Sequence, residues 1–160
     1  HKKRAAIAFS KANTYGPIFL DKACRPVVFS TEAGRIGLVI EEEMFLPEVA
    51  RSMMLEGVQV LFWADAKRHA MTEKIARCRA AENRVFLIRA GCGDKEDNSF
   101  IVSPTGNICA ITVPGMDQSA SAYCLLGEAY SKTVITGTDV VLGRLPHAYK
   151  ELRNTSRKEE

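Results

Sequence analysis

The five cysteines (Cys24, Cys78, Cys92, Cys109 and Cys124) include no C-x-x-C pair, and no histidine stands at metal-ligand spacing. That argues against a zinc site and against a disulfide framework, and no metal or cofactor is expected. An odd number of unpaired cysteines is instead expected as reduced, mostly buried thiols of a cytoplasmic protein. No apolar run is long enough to span a bilayer, and no charged start leads into the hydrophobic stretch of a signal peptide. A charge bias is also lacking: 22 basic against 19 acidic residues leave +3, too little and too dispersed to suggest a nucleic-acid or membrane partner. There is no Gly-x-Ser-x-Gly setting for a serine nucleophile, and Gly91-x-Gly93 is too short to cradle a phosphate.

What is present is enough apolar sequence, 46% of 160 residues, to bury one core. The reading is one domain over residues 1–152 followed by a charged tail, 153–160. Residues 1–26 are turn-rich, with Asn13-Thr-Tyr-Gly-Pro17 as their clearest punctuation. Pro26-Val-Val-Phe29 predicts a short strand, and Glu32-Ala-Gly34 a turn into Arg35-Ile-Gly-Leu-Val-Ile40. That second run lacks polar alternation, so it is expected to be covered on both faces. Pro47 opens a helix that stops at Gly57; Val58–Trp63 is the next strand; Met71, Ile75 and Cys78 mark the apolar stripe of a second helix reaching Asn83; Arg84–Arg89 is a third strand. Strand, helix, strand, helix, strand predicts parallel pairing with right-handed crossovers, an α/β fold. Beyond Gly91, Ser99–Val102 and Asn107–Val113 read as a hairpin closed by Ser103-Pro-Thr-Gly106. Ala122–Leu126 reads as a further strand, and the last thirty or so residues as an extended arm.

The stretch that calls for a chemical explanation is Gly37–Glu48, where a buried strand runs into three consecutive carboxylates, Glu41, Glu42 and Glu43. Ligands of α/β proteins bind outside the carboxyl ends of the strands. Trp63 and Asp65, at the end of the next strand, are by the same rule candidates to line a pocket beside Glu41.

Several segments together resemble the nitrilase superfamily of carbon–nitrogen hydrolases. They are Gly34-Arg-Ile-Gly-Leu-Val-Ile40 with Phe45-x-Pro47-Glu48, then Arg79-Ala-Ala-Glu82-Asn83, Ser99-x-Ile-Val-x-Pro104-x-Gly106 and Arg144-x-Pro146-x-x-Tyr149. The resemblance covers about residues 27–152. It implies part of a four-layer αββα sandwich, a small amide or nitrile as substrate, a homo-oligomer, and a Glu-Lys-Cys triad acting through a thioester. In that chemistry a thiolate attacks, a carboxylate moves the proton and a lysine stabilises the developing charge.

This chain departs from the triad. Glu41 stands at the cysteine's position, and Glu43 matches the acidic residue two further on, expected to orient the elbow. The lysine best matches Lys3, with Lys11 as second choice, and the general-base glutamate would lie upstream of residue 1. Attack by Glu41 on an amide would form an anhydride, whose carboxylate leaves far better than the amine, so the intermediate would revert. Two roles remain for Glu41: a general base toward water, or a structural carboxylate neutralised by a lysine. The matching function readings are an impaired hydrolase domain, an active amidase completed by upstream residues or another chain, and a non-catalytic scaffold.

Overall fold

A computed structural model of the chain describes residues 27–66, 69–91 and 96–153. Lys3, Lys11, the turn-rich start, Cys24, Cys92 and the tail beyond Arg153 lie outside the described residues. The fold is mixed α/β. Its main sheet has six strands in the order β1 (Val27–Thr31), β2 (Gly34–Ile40), β3 (Val60–Ala64), β4 (Phe86–Ala90), β5 (Phe100–Val102) and β6 (Ile108–Ile111). β2, β3 and β4 are parallel, with Val39 beside Trp63 and Trp63 beside Arg89, whereas β1, β5 and β6 pair antiparallel. The parallel centre follows from the two helical crossovers, α1 (Pro47–Leu55) and α2 (Thr72–Asn83), each between consecutive neighbours. Among the described residues no helix is long and apolar enough to cross a membrane.

Alternation along the strands divides the sheet into two faces. Val39, Leu61, Trp63, Leu87, Phe100 and Val102 point to one side and pack with Ala50, Met53 and Met54 of α1 and Ala76 and Ala80 of α2. The opposite side carries Ile36, Val60, Phe86 and Ile88, met by Cys124, Leu126 and Ala129 of the returning chain. That cover is partial: Phe62 keeps 38% of its surface exposed and Leu38 and Ile40 are only half-buried. The expected burial of β2 on both faces is therefore met in full on the helix side only, because among the described residues both helices lie on that side.

The period of α2 is as its sequence predicts, but its phase is shifted by one residue. Met71 is 48% exposed and Cys78 is exposed, while Thr72, Ala76, Arg79, Ala80 and Asn83 are buried. Three of these buried positions, Thr72, Arg79 and Asn83, are polar and hydrogen-bond to backbone, so the stripe that faces the sheet is not the most apolar one. The cysteines also differ from expectation: of the three described, Cys78 and Cys109 are exposed and Cys124 is half-buried. Residues 122–126 form no strand but lead into a 3-10 turn at Leu126–Ala129. The arm after it holds a small hairpin, β7 (Thr133–Ile135) with β8 (Thr138–Asp139). It is fastened at the C-terminal end of α2, where Lys132 Nζ donates to the carbonyls of Asn83 and Arg84 and Arg51 bridges Val140 O and Glu82 O.

Helix and sheet approach closely at Gly37. A Cβ there would stand 2.8 Å from Met53 Sδ and 3.1 Å from Leu61 Cδ2, so the absence of a side chain is what lets α1 sit down on β2. Gly37→Ala is expected to cost about 1–3 kcal/mol through overpacking, read as a lower denaturant midpoint at unchanged slope. A midpoint equal to wild type would show that the helix is not seated this closely.

Candidate functional site

β2 ends at Ile40, and the chain makes one 3-10 turn, Glu41–Phe45, before Pro47 opens α1. Glu41 takes a left-handed backbone, φ +50, a conformation that costs a residue with a Cβ on the order of 1 kcal/mol. Neighbouring groups hold it there. The indole N–H of Trp63 donates to the Glu41 carbonyl at 2.8 Å, and the Ala66 amide donates to Glu41 Oε1 at 3.2 Å. Glu41 Oε2 is buried with no partner among the described residues.

Glu43 closes the turn from within. Its Oε2 accepts from the Ile40 amide at 3.1 Å, the carboxylate half of a capping box. Its other oxygen is buried without a described partner, and the residue is only 5% exposed. Burial raises its pKa from 4.5 to about 7, against the opposing pull of the Ile40 hydrogen bond. The far end of the turn is fixed by Arg79 from α2, which donates to Met44 O at 3.1 Å and Phe45 O at 3.0 Å. Arg79 also pairs with Glu82 at 2.8 Å, the i, i+3 bridge that its spacing suggests.

Trp63 and Asp65, the candidate pocket residues, are both turned inward. The indole is fully buried, edge-on to Phe45 with ring centroids 6.2 Å apart. Asp65 receives Arg89 Nε at 2.9 Å. Arg89 also reaches Asp97 at 2.6 Å and the Asn98 carbonyl. A polar cleft of about 480 Å³ opens over Gly91, Asp97, Asn98, Ser99 and Thr112; Glu41, Glu43 and Trp63 are not in its described lining. Two residues of this region escaped the sequence reading. Arg79 was visible only as an ion-pair partner, not as the donor to two turn carbonyls. Arg89 was legible in principle, since a charge closing the apolar run Phe-Leu-Ile requires buried acids, but which acids depends on how the strands assemble.

The three described cysteines lie away from the elbow: Cys78 on the exposed side of α2, Cys109 on the edge strand β6 and Cys124 on the far face of the sheet. Chemically the arrangement is a strand-end carboxylate in a strained turn, with one oxygen engaged by a backbone amide and the other enclosed. Among the described residues no group of three or more metal-ligating side chains comes together.

A family model for carbon–nitrogen hydrolase matches residues 9–117. Among solved structures, the chain is similar to the amidase of Nesterenkonia sp. AN1, in a variant carrying the acetamide moiety of fluoroacetamide on its active-site cysteine. That match has a TM-score of 0.66 and 20% identity, over 88% of this chain and 54% of the other. Another variant of that amidase, in complex with butyramide, matches at 25% identity and TM-score 0.53, over 65% and 46%. Nit3 of Saccharomyces cerevisiae, a member of branch 10 of the nitrilase superfamily, matches at 22% identity and TM-score 0.56, over 68% and 42%. No curated protein matches. The chain thus spans about half the length, or less, of the solved structures it resembles, and its α/β fold is a portion of theirs.

The raised pKa of Glu43 fixes a pH dependence. Between 4.5 and about 7 the folded chain holds a proton that the unfolded chain has released, so stability falls as pH rises through that window and levels off above it. The loss should be on the order of 3 kcal/mol. Glu43→Gln keeps an acceptor for Ile40 and cannot ionise, so urea unfolding of this variant from pH 5 to 8 should lack that decline; the same slope in both proteins would contradict the assignment.

Proposed function

The chain belongs to the carbon–nitrogen hydrolase family, and from that premise we propose that it is a nitrilase- or amidase-type domain impaired in the family's thioester reaction. The observation that carries this reading is Glu41 itself: a carboxylate at the strand-end position that matches the nucleophile, in a left-handed turn, with Oε1 on the Ala66 amide and Oε2 enclosed. A carboxylate oxygen is a weak nucleophile, and its acyl product would be an anhydride prone to reversal. No described cysteine is placed to replace it. Glu41 then serves as a structural carboxylate whose enclosed oxygen suits a cationic donor, for which Lys3, or failing it Lys11, is the candidate. Glu43 orients the elbow, and Trp63 and Asp65 support it.

A second reading has one observation in its favour. The shift of Glu43 to a pKa of about 7 is the kind of tuning that general bases show, which suits an amidase acting on a small amide with water as the nucleophile. Its enclosure at 5% exposure weighs against contact with substrate. Either form of the domain is proposed to self-associate. Tyr123, Tyr130, Ile135, Leu142 and Leu152 are all more than 60% exposed along the C-terminal segment, a density of apolar side chains that marks interaction surfaces.

Turnover of butyramide separates the two. The impaired-hydrolase reading predicts ammonia release at the buffer rate, with Glu41→Gln indistinguishable from wild type. Release above background, abolished by Glu43→Gln, would refute it and support the second reading.

A further inference from the structure

Holding Glu41 at positive φ takes two donors, the Trp63 indole and the Ala66 amide, and both are themselves held by one buried side chain on a strand two places away. Arg89 is 1% exposed on β4. Its guanidinium carbon lies 5.8 Å from the Trp63 ring centroid, and equally 5.8 Å from that of Phe100 on the other side. Cations over aromatic faces are attracted to them, the more so when desolvated. The same guanidinium reaches Asp65 twice, through Nε to the carboxylate at 2.9 Å and through Nη2 to the carbonyl at 3.4 Å. Asp65 immediately precedes Ala66, and its own amide is tied to Ala90 O at 3.0 Å. The direction in which the Ala66 N–H points at Glu41 is therefore set by a peptide whose carbonyl and carboxylate both rest on Arg89. On its remaining side Arg89 Nη1 binds Asp97 and the Asn98 carbonyl, in the loop entering β5.

We infer that Arg89 is the positioning residue of the Glu41 turn, acting without contact through Trp63 on one route and Asp65–Ala66 on the other, and that it ties the turn to the Asp97–Asn98 loop. A planar fork is needed for this: beside the indole it serves two carboxylates and two carbonyls at once, which an ammonium cannot do. The inference deepens the reading of Glu41 as a held carboxylate, yet its test uses no turnover, so the two stand or fall separately.

The chain has a single tryptophan, so one indole N–H resonance reports the Trp63–Glu41 bond directly. In Arg89→Lys that resonance should move toward the position of a free indole, and the Ala66 amide should move with it. Exchange of the indole proton with solvent should speed roughly tenfold or more, the equivalent of about 1.4 kcal/mol in the opening equilibrium. Val85→Ala, a buried truncation outside this set of contacts, controls for general loss of stability and should leave both resonances in place. Unmoved resonances in a folded Arg89→Lys, or equal shifts in Val85→Ala, overturn the inference. Should Arg89→Lys fail to fold, Asp97→Asn decides: an isosteric change in the loop must still shift the indole resonance, and a silent Asp97→Asn overturns the proposed tie.

Discussion

The hydrogen bond from the Trp63 indole to the Glu41 carbonyl joins the end of one parallel strand to the turn that leaves its neighbour. With it in place the backbone at Glu41 can stay left-handed; without it a residue bearing a Cβ would relax toward an ordinary conformation. Much of the surrounding structure serves the same turn. Gly37 lets α1 come down close behind it, Glu43 caps its start, and Arg79 donates to its last carbonyls. On the far side of the indole, Arg89 and its two aspartates form a buried polar cluster. Such a cluster contributes position more than stability, since desolvation of buried charges offsets most of their attraction.

Strained turn and supporting shell together make a scaffold that holds one strand-end side chain in a fixed place. Here it presents a carboxylate. On the proposed reading, the strain and the donors surround a group that lacks the nucleophilicity for acyl transfer from an amide. The Ala66 amide holds one carboxylate oxygen and the other is enclosed, which suits a held structural group better than one free to attack. Membership of the carbon–nitrogen hydrolase family and the proposed impairment at Glu41 are compatible, because fold and chemistry reside in different residues.

Much of the fold was legible because periodicity and punctuation act locally. Pro47 and Gly57 bracket α1, the Ser103–Gly106 turn closes the β5–β6 hairpin, and two crossovers impose the parallel centre. What failed did so for a physical reason. The buried stripe of α2 includes Arg79 and Asn83, whose hydrogen bonds to backbone carbonyls, Met44 and Phe45 for the one and Arg79 for the other, make burial tolerable; a hydrophobic count passes over such residues and settles one position early, on Met71 and Cys78. The elbow was visible as three carboxylates after an apolar run, but the backbone strain at Glu41 and the inward turn of Trp63 and Asp65 arise from contacts across strands that no local pattern encodes.

The account rests on Glu41 being a carboxylate that does not react. Fluoroacetamide, whose acetamide moiety adds to the active-site cysteine of the Nesterenkonia amidase, probes this most directly through peptide-resolved mass spectrometry of the treated chain. The expected result is labelling confined to cysteines, led by the exposed Cys78 and Cys109, with the peptide containing Glu41 unchanged. An acetamide ester on Glu41, formed with loss of fluoride, would show a reactive nucleophile in that seat and contradict the account.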